Sequence, residues 1–218
     1  MRPQVQHRRV VAVLGKIDAF IPPLRLEARR QSFESAPHVI WLSDGGRGLW
    51  RVYHTCFAHC AIAVLDVFHA AGHLWRATTA LFDAPRSAQA MTWFRRWRHQ
   101  LRHGQHHQVL TMLTALINTD LFTGKSLSTL LQVQAYFQRH HRHIRYQRFE
   151  QQQIPLGSGM VESACKWLIQ QRFKGVGMRW SESGFNHLLV LRMAWSNQRF
   201  DALFPSVPPP IQTHSPKP

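Results

Sequence analysis

Two carboxylates in this chain stand in settings that suit metal chemistry. Asp44 lies in the run Ser43-Asp44-Gly45-Gly46, directly after an apolar stretch, and Glu162 lies one turn beyond the glycine-rich run Pro155-Leu156-Gly157-Ser158-Gly159. In two-metal phosphoryl transfer, carboxylates from separate elements hold two divalent ions ~3.5–4 Å apart, which activate the attacking oxygen and stabilise the leaving one. Magnesium takes hard oxygen ligands and keeps several waters, so two or three carboxylates are enough. Each residue also has a plainer reading. Asp44 is an ordinary turn residue, and Glu162 pairs with Lys166 at i+4 for about 0.3 kcal/mol.

Other chemistries have less support. His54, Cys56, His59 and Cys60 form a dense His/Cys group, but structural zinc needs four ligands, commonly as two separated pairs, and the second pair is missing. Cys56 and Cys60 also share one helix face, where free cysteines act as small hydrophobes. Neither the GxxxxGK[ST] nor the GxGxxG pattern occurs, which argues against a nucleotide-fuelled enzyme. Ser163 falls within a helix and not at a strand-to-helix turn, so it is no nucleophile elbow.

Composition narrows the partners. The 218 residues carry 27 Lys plus Arg against 11 Asp plus Glu, a formal net charge of +16, with 15 His able to add charge below neutrality. Such an imbalance calls for a polyanion, and nucleic acid is the first candidate because phosphate neutralisation dominates such affinities. At 44% hydrophobic residues the chain can bury a core. Three cysteines without a familiar disulfide framework suit a reducing compartment. With no apolar run of ~20 residues and no signal pattern, a soluble, intracellular protein is expected.

The elements that must position these groups follow from periodicity. Residues 9–14 (RVVAVL) read as a strand ended by Gly15, residues 16–33 as a helical region that Asp18 caps, and 38–42 (HVIWL) as a second strand delivering Asp44 at its carboxyl end. Leu49, Val52, Cys56 and Phe57 make a helix face, and 61–68 (AIAVLDVF) reads as a third strand carrying Asp66 and leading into His69. Successive strand–helix–strand units imply parallel pairing and an α/β fold. From Gly72 the pattern turns helical, at 73–82, 88–101, 109–117 and 127–137, with Pro85, Gly104 and Gly124 as separators. The tryptophans of this block pack it, and Arg95, Arg96 and Arg98 face water or a phosphate backbone. Ser158 caps a helix whose apolar face is Val161, Cys165, Leu168 and Ile169, and Ser181 caps a last helix running to about Phe204. The proline-rich tail 205–218 is expected to be disordered.

Three stretches resemble one family. The run GSGMVESACKWLIQQRFKGVGMRWS at 157–181 is similar to the signature of bacterial insertion-sequence DDE transposases of the ISKra type, in the Mutator-like group. SDGGRGLW at 43–50 resembles that family's second-aspartate segment, and LDVFHAAGHLW at 65–75 its Asp-x-x-His segment. The resemblance implies a ribonuclease H-like catalytic core, incomplete here, with a large α-helical insertion. It places the partial core at 1–71, the insertion at 72–153, and the core's C-terminal helices at 154–204. It makes Asp44 the second and Glu162 the third carboxylate of the triad, both metal ligands, and Asp66 and His69 auxiliary residues for DNA positioning or support. Arg47, Lys166, Arg172, Lys174, Arg179 and Trp180 fall in the same motifs as DNA-binding residues. The implied cofactors are two divalent ions, magnesium by preference, and the implied partner is double-stranded DNA, at transposon ends and target. The implied reaction is hydrolysis at transposon ends followed by strand transfer from a 3′-hydroxyl. Assembly as a homo-oligomer on paired ends and residence at the bacterial nucleoid follow from it.

The sequence departs from the family pattern in two respects. The strands at 9–14 and 38–42 match the family's third and fourth, so the first two strands and the first aspartate are missing, and Gly72 stands where a glutamate is usual. The expectation is that this chain alone neither holds a metal pair nor cuts DNA, unless joined to an upstream transposase segment. The alternative is a non-catalytic, basic DNA-binding protein retaining the scaffold.

Overall fold

The computed structural model describes residues 7–82 and 87–204, so Pro85 and the tail at 205–218 lie outside the described residues. Strands β1 (Val39–Ser43) and β2 (Ala61–Leu65) pair in parallel, with Val39 opposite Ala61 and Ser43 opposite Leu65. Parallel neighbours need a crossover, and α2 (Arg47–Cys56) supplies it. Trp50, Val52, Tyr53 and Cys56 form the buried face of α2, and Trp41 of β1 stacks on Phe57 just beyond it. The small parallel sheet with its covering helices is α/β, as the sequence indicates.

The two edges of the sheet differ. Along β2 the outer edge is covered at both ends: the Tyr53 hydroxyl donates to Ala61 O, the Leu65 N–H to His143 O, and the Tyr146 hydroxyl to Leu65 O. Along β1 it is open. The Asp66 N–H donates to Ser43 O, so Ser43 and the residues two and four before it face β2, while Ile40 and Leu42 turn their backbone groups outward. Among the described residues neither Ile40 nor Leu42 has a partner for its N–H or C=O on that side.

The run at 9–14 is not a strand. It is unpaired with the sheet and lies instead along α10 (Glu182–Ser196). The Asn197 side-chain amide takes the place of a neighbouring strand, accepting from the Val10 N–H (2.7 Å) and donating to Val10 O (2.8 Å). β-branched residues favour an extended backbone, but a strand also needs an edge to pair with, and the local pattern cannot supply that. In α1 (Ile17–Arg30), Asp18 makes no capping bond and pairs with Arg51 of α2 (2.7 Å). Glu27 of α1 is buried and takes both guanidinium nitrogens of Arg199, at 2.6 and 3.1 Å, which ties the end of the described chain to this helix.

The helical block is present and begins earlier than periodicity indicates. β2 stops at Leu65, and Asp66 turns the chain into α3 (Val67–Leu81). Then come α4 (Ala88–Arg102), α5 (His106–Ile117), α6 (Gly124–Arg139) and α7 (Tyr146–Gln151). Leu74, Trp97, Leu101, Leu113, Leu130 and Phe137 join Val64 and Leu65 of β2 in one apolar core, so the block packs directly on the sheet. Trp97 is buried, Trp93 packs edge-on against it and Trp75 against Phe94, while Arg95, Arg96 and Arg98 face water.

The last helices make a smaller cluster. α8 (Gly159–Cys165) runs through a π-helical turn (Lys166–Gln170) into α9 (Gln171–Phe173). Its expected apolar face is split, because Val161 and Cys165 are exposed and only Leu168 is buried, against Phe173 and Leu189, with Ile169 packed alongside. The Ser181 hydroxyl caps α10 as expected, accepting from the Gly184 N–H, but α10 ends at Ser196 and only a 3-10 turn (Asp201–Leu203) follows. No described helix is long and apolar enough to cross a membrane.

Candidate active site

The carboxyl edge of the sheet gathers the motif residues. In a parallel pair both strands end on the same side, so Asp44 and Asp66 leave β1 and β2 as neighbours, with the Asp66 N–H on Ser43 O at 2.8 Å. Asp44 is half-buried. Its Oδ1 accepts from the Gly46 N–H (2.8 Å), closing an Asx turn, and its main-chain oxygen accepts the Trp50 indole N–H (2.8 Å). The following glycine is required, since a Cβ at Gly45 would sit inside the van der Waals surface of the Tyr136 ring. Burial, and then the charges of Asp44 and Asp66, push the Tyr136 hydroxyl well above its ordinary pKa.

Asp66 is fully buried and saturated with donors. Oδ1 accepts from the N–H groups of Phe68 (2.8 Å) and His69 (2.9 Å) as the N-cap of α3, and lies 3.2 Å from His69 Nδ1. Oδ2 accepts from the Ser158 N–H (2.6 Å) and hydroxyl (2.7 Å). Burial raises its pKa, but the Ser158 and His69 donors outweigh that and hold the carboxyl below its ordinary range. Ser158 therefore does not cap α8 with its side chain, as the sequence suggests; its hydroxyl is spent on Asp66. The Val67 N–H adds a bond to Leu156 O (2.9 Å), and Gly157 lies against Phe68 where a Cβ would collide. The glycine-rich run is thus clamped to the start of α3.

Glu162 follows in the first turn of α8, its N–H on Ser158 O (3.2 Å). Its side chain is exposed and is not paired with Lys166 or any other described residue. One chain of contacts, Ser43 to Asp66 to Ser158 to the backbone of Glu162, links the two candidate metal ligands, although Asp44 and Glu162 share no hydrogen bond. Lys166, Arg172, Lys174, Arg179 and Trp180 are exposed beyond Glu162, with Trp180 edge-on to Phe173, and Arg47 is exposed at the start of α2.

The donor set for metal is narrow. No group of three His, Cys, Asp or Glu is arranged to hold an ion among the described residues. Asp66 has both oxygens occupied by hydrogen bonds, which leaves Asp44 and Glu162 as oxygen donors on this edge. His54, Cys56, His59 and Cys60 form no such group either: Cys56 is buried as a hydrophobe and Cys60 donates to Phe57 O.

Behind Asp44 lies a layer that motif reading misses. His73 stacks on Tyr136 with ring centroids 3.7 Å apart, and His140 and His143 pack on Trp50. Burial lowers His73, His140 and His143 to pKa values of about 4, so all three are neutral at pH 7. His73 Nδ1, the Tyr136 hydroxyl and His140 Nε2 are buried without a partner among the described residues. The sequence signals were spacings, His69 and His73 at i+4 on α3 and His140 and His143 at i+3, but nothing local shows that these elements meet. In comparisons with known proteins, no family model, no curated protein and no solved structure matches this chain.

Proposed function

We propose that this chain is part of the catalytic domain of a DDE-type DNA transposase of the ISKra kind, built on a ribonuclease H-like core with a helical insertion at 72–153. One observation carries the reading. The three stretches that resemble the family, 43–50, 65–75 and 157–181, are remote in sequence yet meet at one edge of the sheet, where Asp44 emerges from β1 and Asp66 grips Ser158, the residue that opens the helix of Glu162. Carboxyl ends of parallel strands are where open α/β sheets build their sites. The open edge of β1 supports the reading further, since its unpaired N–H and C=O groups are a template for a further strand.

In this account Asp44 and Glu162 are metal ligands for magnesium, Asp66 and His69 are positioning residues, and the exposed basic groups from Arg47 to Arg179 engage duplex DNA. The protein sits at the nucleoid and assembles on paired transposon ends. Because no residue of this chain answers to the family's first aspartate, the chain by itself binds DNA without cutting it. A second reading, a basic DNA-binding protein without catalysis, is favoured by the formal net charge of +16, which acts on phosphates without any metal site. Fluorescence anisotropy with a labelled duplex tests the common ground: affinity should fall steeply as salt rises, and an absence of binding at low salt would sink both readings.

A further inference from the structure

We infer that the cleft beside Asp44 is a binding site for a phosphate group of the DNA backbone. The inference rests on the proposed function for the source of the phosphate, and on the cleft alone for its chemistry. The cleft, of about 440 Å³, opens between α2 and the end of α6 and is bordered by Gly45, the residue after Asp44. Arg47, Arg51 and His54 line it from α2, and their i, i+4, i+7 spacing puts them on one helix face. Arg139 lines it from the last turn of α6. No Asp or Glu among the described residues lines it. Arg51 has a carboxylate partner in Asp18, but Arg47 and Arg139 have no acidic partner among the described residues.

The inner wall has the same character. Trp50 and His143 stack with centroids 4.2 Å apart. His140 also lines the cleft; it is 2% exposed, its Nδ1 is 3.3 Å from that of His143, and its Nε2 is buried without a partner among the described residues. Of the three guanidinium groups only that of Arg51 has a counter-charge among the described residues, and the ligand that matches Arg47 and Arg139 is a compact anion with oxygens for both. A carboxylate offers two oxygens on one side. A phosphodiester offers its charge between two chain directions, which suits an open cleft whose rim leads to Asp44. A DNA strand with one phosphate held here would pass the carboxylates at the sheet edge.

The test uses imidazole NMR signals of His54, His140 and His143 in the full chain. Inorganic phosphate is titrated against sodium chloride at matched ionic strength, for the parent, for Arg47→Gln/Arg139→Gln, and for Arg96→Gln on the exposed face of α4 as control. Saturable shifts are expected in the parent and the control, with affinity about tenfold weaker in the double variant. In anisotropy, the double variant should bind duplex more weakly than the control and with a salt slope smaller by about two. Absence of saturable shifts, or equal phosphate affinity in the double variant, overturns the inference while leaving DNA binding to speak for the function. Phosphate binding as expected with unchanged DNA affinity overturns it as a DNA site. Phosphate binding in a chain that binds no DNA contradicts the proposed function and shows a site for free phosphate esters instead.

Discussion

Ser158 gives both its N–H and its hydroxyl to one oxygen of the Asp66 carboxylate, at 2.6 and 2.7 Å. Asp66 is wholly buried, so the pair joins the end of β2 to the start of the Glu162 helix without competition from water. Removing the hydroxyl with Ser158→Ala should cost about 1.5–3 kcal/mol, the range for a hydrogen bond to a charged group, read as a lower urea midpoint at unchanged m-value. Amide exchange should speed up at 154–162 before it does in α4. A change below about 0.5 kcal/mol would mean that the tether carries no weight.

The buried histidines make stability depend on pH in a defined window. His73, His140 and His143 have pKa values of about 4 in the fold, lowered by burial first and then by neighbouring charges, among them Arg76 for His73 and Arg139 for His140. Their ordinary value is about 6.5. The unfolded chain therefore binds more protons than the folded one between those values, and stability falls as pH falls through them. Thermal midpoints should be flat above pH 7 and drop between pH 6.5 and 4. Signals of His73, His140 and His143 titrating near 6.5 in the folded protein would refute this.

Two glycines should respond in opposite ways. Gly72 lies within α3, and a Cβ there would meet nothing within 4 Å, so Gly72→Ala should stabilise by about 0.5–1 kcal/mol through helix propensity. At Gly45 the added methyl would strike the Tyr136 ring, and overpacking of this kind costs about 1–3 kcal/mol. Thermal melts of the two variants should bracket the parent.

What could be read in the sequence was local. The alternation and apolar runs of β1 and β2, the crossover of α2 and the helical block from α4 to α6 follow from periodicity, since each is written in residues that are near neighbours. The run at 9–14 has the residue types of a strand, but pairing depends on an edge, and the side chain of Asn197, just past α10, stands in its place. Ser158 looked like a helix cap because its type and position fit one, and only the arrival of Asp66 from β2 redirects its hydroxyl. The histidine and tyrosine layer behind Asp44 joins α2, α3 and α6 with the turn after α6, and no spacing within any one of them announces the others.

The most direct test of the central claim is the affinity of the chain for a DNA duplex with and without Mn²⁺, for the parent, Asp44→Asn and Glu162→Gln. A carboxylate pair facing DNA phosphates repels them until a divalent ion bridges the two. Mn²⁺ should therefore tighten the parent complex without strand cleavage, both substitutions should abolish the tightening, and each variant should bind at least as well as the parent in metal-free buffer. A complex indifferent to Mn²⁺ and to both substitutions would contradict the account in favour of a non-catalytic DNA-binding protein, and metal-dependent cleavage persisting in Glu162→Gln would contradict both.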